Sequence, residues 1–313
     1  MYFSQQVEKL FLPAAKLMFS FAECVPWLAV ALMLSLAIII LNLVSIIVFM
    51  KKRSFRKRST YLVINLAVID MLVGVTATGN FAGLVGQYYC NLWKDGLPDK
   101  LEVYMIVLYV LFPVASVTNI SAISLERLHA TFWPLRHLVM QKWIYVLIFA
   151  ITWITAGLVS AGVGVLEQFK QRSHFFYLWN SFNSICLLII SVSYVAIVIK
   201  VRCGAQPQHH RAASRERKLT VTLLIVTVVS MLMWLPFVIS SFLYYTTDII
   251  SSLSSIPIRR LNLALIALYY VNSLVNLIIY TARMPDFRRA LVAVFCKRPQ
   301  QANQAPVIPL RDM

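Results

Sequence analysis

The sequence predicts an all-α protein: a seven-transmembrane helix bundle with a short amphipathic eighth helix. Three observations carry that expectation. Of 313 residues, 60% are hydrophobic and only 13% charged, too apolar a balance for an ordinary soluble domain. The apolar residues gather into seven runs of the length, about 20 residues, that a helix needs to cross a hydrocarbon layer of about 30 Å. The charges cluster between the runs, and the runs are continuous rather than the alternating ten-residue segments of a membrane barrel.

In order, the expected spans are Trp27–Met50, Tyr61–Val85, Leu101–Leu125, Trp143–Leu166, Phe175–Ile199, Leu219–Tyr245 and Leu261–Thr281. Lys and Arg set their orientation. One face takes Lys51 to Arg58 between spans one and two, and Arg127, Arg136 and Lys142 after span three. It also takes Lys200 to Lys218 before span six, and Arg283 to Arg311 after span seven. These clusters hold 21 of the 29 basic residues, with Glu126, Glu216, Asp286 and Asp312 as the acids among them, so that face carries the whole formal charge of +17. The C-terminus is therefore expected in the cytoplasm and the N-terminus outside, in a plasma-membrane protein. Such a face suits a lipid bilayer with an anionic inner leaflet and an intracellular partner. A nucleic-acid partner is not expected, because no soluble basic domain exists to hold one.

The domain plan is simple: residues 1–26 an extracellular lead, 27–282 the transmembrane domain, 283–313 an amphipathic helix and cytoplasmic tail. No small-residue cleavage site precedes span one, which reads as an uncleaved signal anchor. The single glycosylation sequon, Asn119-Ile-Ser121, falls inside span three, so N-glycosylation is not expected. Short loops leave no room for a second domain. Cys24 and Cys90 both fall at the outer mouth, where a disulfide is chemically allowed and two free thiols are the alternative. Cys296, in a basic amphipathic stretch past span seven, is a candidate for palmitoylation.

Polar residues inside spans are costly in lipid and so mark function. Asp70 is the one acid deep in the hydrocarbon, and Ser116, Asn272, Ser273 and Asn276 fall at similar depth. Such an all-oxygen set suits a small hard cation such as sodium, while a neutral hydrogen-bonded carboxyl is the plainer reading. Asn272, Asn276 and Tyr280 share one helix face by i, i+4, i+8 spacing. Pro236, beside Trp234, permits a kink in span six. Glu126-Arg127 closes span three, and Glu216 at the start of span six is placed where Arg127 could reach it. Rupture of an Arg127–Glu216 pair would open a cleft for a partner; a solvated charge run is the alternative.

Together these residues resemble the rhodopsin-like (class A) G-protein-coupled receptor family, from span one to the helix after span seven. Asn42, Asn65-Leu-Ala-Val-Ile-Asp70, Glu126-Arg127-Leu128 with Pro134-Leu-Arg, and Trp153 match its motifs in spans one to four. Tyr194, Trp234-Leu-Pro236, Asn276-Leu-Ile-Ile-Tyr280 and Asp286-Phe-Arg-Arg-Ala-Leu291 continue the series. The resemblance implies a receptor that binds an extracellular ligand and activates a heterotrimeric G protein by outward movement of span six. It implies an allosteric sodium ion, with no other cofactor, at Asp70, Ser116, Asn272, Ser273 and Asn276. It further implies an Arg127 restrained by Glu126 and Glu216, toward which Tyr194 and Tyr280 move on activation.

Departures from the pattern are several. Glu102 stands at the span-three Cys position, Cys186 replaces the span-five Pro, and Leu277 replaces the span-seven Pro. Leu128 replaces the Tyr after Arg127, and no Cys lies between spans four and five. These absences are similar to those of the melanocortin-like and lipid-receptor branches, and they keep a non-signalling seven-helix protein that binds partners as the alternative reading.

By the same resemblance Tyr109 stands at the amine-binding Asp position and Tyr270 at the retinal-bearing Lys position, so neither an amine nor retinal is expected. The ligand pocket is expected from Asn80, Glu102, Met105, Tyr109, Trp234, Phe237, Ser241, Asn262, Ile266 and Tyr270. An apolar, aromatic lining with one acid suits a small peptide with a basic residue, or an amphipathic small molecule. A transporter would require inverted repeats and several charges along a pathway, and none is seen. No Ser-His-Asp set, His/Cys cluster or phosphate loop supports an enzyme.

Overall fold

A computed structural model of the chain describes residues 21–51, 60–86, 90, 98–169, 171–203, 211–246 and 256–295. Among them, the elements are α1 (Phe21–Lys51), α2 (Thr60–Asn80) and a π-helical turn (Phe81–Val85), followed by α3 (Asp99–Phe132) and the short α4 (Pro134–Val139). Then come α5 (Lys142–Gln168), α6 (Arg172–Cys203), α7 (Arg211–Thr246), α8 (Ile256–Arg283) and α9 (Pro285–Phe295). The seven expected spans are thus α1, α2, α3, α5, α6, α7 and α8, and the amphipathic eighth helix is α9. Six of the seven are long and apolar enough to cross a membrane, and α7 contributes the shorter apolar stretch Leu224–Ser240.

Helices are what such runs must form, because in lipid every backbone N–H and C=O has to be satisfied within the segment. Their ends follow local chemistry more than hydropathy. Proline drives the residue before it out of the helical region and is itself well suited to the first helical position. Accordingly α3 stops before Trp133-Pro134, where Trp133 sits at φ −129°, ψ 64°, and α8 gives way to α9 at Met284-Pro285. α1 starts at Phe21, earlier than the expected Trp27, and carries Pro26 within it. α7 starts at Arg211, well before the expected apolar run. Both helices thus extend past their hydropathy windows, α1 through Pro26.

The bundle closes as a ring. α1 packs on α2, α2 on α3, α3 on α5 and α6, α6 on α7, α7 on α8, and α8 back onto α1 and α2. α3 is the central rod, touching α2, α5, α6 and α7. Two glycines permit close approaches: a Cβ at Gly74 would lie 2.8 Å from a methyl of Ile38, and one at Gly164 would lie 2.7 Å from a methyl of Val107. Beyond the π turn, Cys90 meets Cys24 in a disulfide with Cα atoms 5.8 Å apart. At the opposite end, α9 inserts the buried Phe287 against Phe49 of α1 and Tyr280 of α8.

Candidate functional site

Buried polar and aromatic side chains gather at three levels along the bundle, between the disulfide end and the Arg127 end. In the middle, Asp70 of α2 is fully buried. Its Oδ1 accepts hydrogen bonds from the Ser116 hydroxyl of α3 at 3.4 Å and the Ser273 hydroxyl of α8 at 3.0 Å. Its Oδ2 accepts one from the Asn276 amide of α8 at 2.6 Å. Nearby, the Asn42 amide of α1 donates to the Ser273 carbonyl at 2.9 Å, so one short stretch of α8 holds both α1 and α2. The sequence places these amides and hydroxyls on the inward faces of their helices, and helical spacing does the rest.

The Oδ1 atoms of Asn272 and Asn276 are buried with no hydrogen-bond partner among the described residues. Orphaned buried acceptors call for an explanation. A hard cation shared with Asp70 and the two hydroxyl oxygens fits this donor set. No cluster of three or more His, Cys, Asp or Glu occurs among the described residues, so the chemistry here is that of a single carboxylate with neutral oxygens.

A second network braces α3 from the side. The Trp153 indole N–H of α5 donates to Asn65 Oδ1 at 3.3 Å, the Asn65 amide to Asn119 Oδ1 at 2.9 Å, and the Asn119 amide to the Leu62 carbonyl at 3.0 Å. Asn119, noted from sequence only as a sequon residue, is a structural brace.

At the Arg127 end, both members of the acid–base pair are buried. Arg127 donates through Nε and Nη2 to the two oxygens of Glu126. Glu126 Oε1 also accepts from the Tyr145 hydroxyl of α5 at 3.3 Å and lies 3.3 Å from Nε2 of His137 on α4. Tyr194 of α6, within electrostatic reach of both, accepts a hydrogen bond from the Thr227 hydroxyl of α7 at 3.0 Å. Tyr280 of α8 packs edge-on against Phe49. Glu216 belongs to α7, but its side chain lies outside the described residues, as do the side chain of Ser241 and the whole of Cys296.

Toward the disulfide end the site is aromatic. Tyr269 of α8 lies at the hub, its ring centroid 5.3 Å from Trp234, 5.2 Å from Phe237, 5.5 Å from Tyr270 and 6.4 Å from Tyr109. Tyr109 in turn stacks on Trp179 at 6.4 Å, and Tyr270 accepts a hydrogen bond from the Asn80 amide at 3.4 Å. Asn80, Tyr109, Trp234, Phe237 and Tyr270 are thereby brought together. Ile266 packs against the same core. Glu102, Met105 and Asn262 are half-buried nearer the helix ends. Tyr269 and Trp179 were not singled out from the sequence. The signal was available for Tyr269, since it lies four residues before Ser273 and so shares its face.

A ring of seven helices around a buried carboxylate, with a buried acid–arginine pair at one end and an aromatic cluster toward the other, is the architecture of a multi-pass membrane protein. The chain matches the family model described as 7 transmembrane receptor (rhodopsin family) over residues 41–176 and 165–280, and it belongs to that family. The octopamine receptor beta-2R of Drosophila melanogaster is 25% identical to it, over 85% of this chain and 61% of the relative. The histamine H2 receptor of Homo sapiens is 26% identical, over 80% of this chain and 74% of the relative. Sphingosine 1-phosphate receptor 3 of Takifugu rubripes is 26% identical, over 83% and 68% respectively. The chain spans about three fifths of the length of the fruit-fly octopamine receptors it matches.

Proposed function

We propose that this chain is a plasma-membrane G-protein-coupled receptor, with its N-terminus outside and its C-terminus in the cytoplasm. An extracellular ligand reaching the aromatic cluster drives the inner half of α7 outward about the Trp234–Pro236 segment, and a heterotrimeric G protein takes the cleft so formed. The observation that carries this is the fully buried Arg127, held by Glu126 at the end of the central helix. A buried ion pair is a poor source of net stability, and losing one partner costs about 3–5 kcal/mol. Such a pair makes better sense as a contact that is exchanged than as a static brace.

The ligand we infer is a small peptide with a basic residue, or an amphipathic small molecule. Tyr109, stacked on Trp179, offers no charge to an ammonium, and Glu102 supplies the acid two turns away on the same helix. This differs from the amines for which the octopamine and histamine receptor relatives are named, and is nearer to an amphiphile such as sphingosine 1-phosphate. A sodium ion at Asp70, held with Ser116, Asn272, Ser273 and Asn276, would favour the closed state. The test of the whole reading is Arg127→Ala: G-protein activation is lost while surface expression is retained. Signalling preserved in that variant refutes it.

A further inference from the structure

We infer that the inner end of this receptor's ligand is an uncharged hydroxyl or carboxamide, received by Asn183, Trp234 and Tyr269 where the aromatic cluster parts at Tyr109. This rests on the receptor reading and deepens it, because it names the chemistry that the aromatic site selects.

The site is a set of unmet hydrogen bonds on three helices. Trp234 of α7 and Tyr269 of α8 are buried, and neither the indole Nε1–H nor the phenol hydroxyl has a partner among the described residues. On α6 the Asn183 amide, 1% exposed, donates to the Trp179 carbonyl at 2.7 Å and leaves its Oδ1 without a partner. Asn180 repeats the pattern, donating to the Phe176 carbonyl at 3.0 Å with its Oδ1 likewise unmet. Each buried polar atom left unmet costs about 1–3 kcal/mol. An unsubstituted phenyl ring in place of the Tyr269 phenol would fill the same space without that cost, so packing alone does not account for these groups.

The rings around them fall into two halves. Trp234, Phe237 and Tyr270 gather on Tyr269 with centroids 5.3, 5.2 and 5.5 Å away. Tyr109 of α3 joins that half to Trp179 of α6 by two looser contacts, both 6.4 Å, toward the upper limit of about 7 Å for aromatic pairs. Asn183 lies one turn along α6 from Trp179 and belongs with it, while Trp234 and Tyr269 belong to the other half. A ligand end that separates the halves at Tyr109 therefore meets unmet groups on both sides.

The donor and acceptor types set the chemistry. Indole N–H only donates and an amide oxygen only accepts, so the occupant has to accept from Trp234 and donate to Asn183. Hydroxyl and carboxamide groups do both without charge, whereas an ammonium only donates and a carboxylate only accepts. A charged end would also lack a counter-ion here. The titratable groups that act on Tyr269 are the phenols of Tyr109 and Tyr270. The oxygens of Asp70 already take Ser116, Ser273 and Asn276, and Glu102 is half-buried nearer the helix end, where it meets only the outer end of a ligand. Burying an unpaired charge costs far more than burying a neutral polar group. Apolar walls with a few placed polar atoms are the usual build of a small-molecule site.

The test uses the full chain in nanodiscs, labelled with fluorotryptophan, the Trp234 fluorine signal being assigned by Trp234→Phe. Five probes share one apolar body: phenylbutanol, phenylbutanamide, phenylbutylamine, phenylbutyrate and butylbenzene, each corrected for partition into empty nanodiscs. The alcohol and the amide should saturate the Trp234 signal about tenfold more tightly than butylbenzene, the worth of one good hydrogen bond. The amine and the acid should bind about a hundredfold more weakly than the alcohol. Tyr269→Phe and Asn183→Leu should each erase the tenfold advantage and leave butylbenzene unchanged. Tyr269→Phe should not lower the melting temperature, since its hydroxyl has no partner to lose. A charged probe that matches the alcohol, a butylbenzene that matches it, or a Trp234 signal that no probe saturates overturns the proposal. So does a Tyr269→Phe protein that melts lower with probe affinities unchanged, which makes that hydroxyl the seat of an ordered water only. A chain that ranks the probes as expected while Arg127→Ala signals like wild type refutes the receptor reading and leaves this site standing.

Discussion

Removing the Asp70 carboxyl tests the hub that joins three helices, and the structure sets the size of the effect. Asp70→Ala strands three donors at once: the hydroxyls of Ser116 and Ser273 and the amide of Asn276. Each buried donor without a partner costs about 1–3 kcal/mol, and since neighbours relax together the low end is the safer total, about 3 kcal/mol. For a chain of 313 residues that is a fall of about 5 °C in melting temperature. Asp70→Asn behaves differently. Its amide would clash with the Asn276 amide, now 2.6 Å from Asp70 Oδ2, but Asn276 has a buried Oδ1 with no partner among the described residues. Flipping Asn276 by half a turn turns that clash into a hydrogen bond, so Asp70→Asn should melt within about 1 kcal/mol of wild type. The assay is thermal unfolding in nanodiscs, followed by a thiol-reactive dye at the buried free Cys186, in sodium and in matched choline chloride. Wild type should gain stability in sodium through ligand linkage, and both variants should lose that gain. An Asp70→Ala protein that melts with wild type, or an Asp70→Asn protein that keeps the sodium response, refutes the reasoning.

Three further outcomes are expected. Cys24→Ser removes a cross-link spanning 66 residues; chain entropy puts the upper bound near 4 kcal/mol, and the lower melting temperature should match that of reduced wild type. Gly164→Ala places a methyl carbon 2.7 Å from a methyl of Val107, inside van der Waals contact, so it should destabilise by about 1–3 kcal/mol through overpacking, measured in the same melting assay. Glu102→Gln should weaken binding of a basic peptide ligand by about tenfold or more in radioligand competition; unchanged affinity removes Glu102 from the site.

The spans were legible because lipid imposes one rule on every residue within it: a run long and apolar enough to cross has to be helical. Asp70 was legible for the same reason, since a lone carboxylate in hydrocarbon needs partners, and the amides and hydroxyls at its depth supply them. Sites built from aromatic packing were less legible. Tyr269 and Trp179 look like any apolar-face residue in a span, and only the three-dimensional crossing of α3, α6 and α8 makes them neighbours of Tyr109. His137 lies in the stretch around Glu126-Arg127, yet its contact with Glu126 needed the fold. Proline 134 turns the chain back as α4 and returns His137 to within 3.3 Å of Glu126, eleven residues earlier in sequence. Helices extend beyond the expected apolar runs where hydropathy falls but the backbone stays helical, as at the starts of α1 and α7.

The tethers at the disulfide end show how the bundle distributes stiffness. No Cys stands at position 102 or between spans four and five, so α3 has no covalent tie there. Instead two adjacent residues of α1 reach in opposite directions: Cys24 bonds Cys90 beyond α2, and Glu23 pairs with Arg260 of α8. With Asn42 also bonded to the Ser273 carbonyl, α1, α2 and α8 form one block. The central helix joins that block in mid-bundle through Ser116 and Asp70 at 3.4 Å, the longest of the three bonds to that carboxylate, and through the Asn65–Asn119 contact. Movement of α3 relative to the block therefore strains Ser116 first. A cation that draws Ser116, Ser273 and Asp70 onto one centre would stiffen the weakest of these joints, which is why sodium at this level is expected to oppose opening at the Arg127 end.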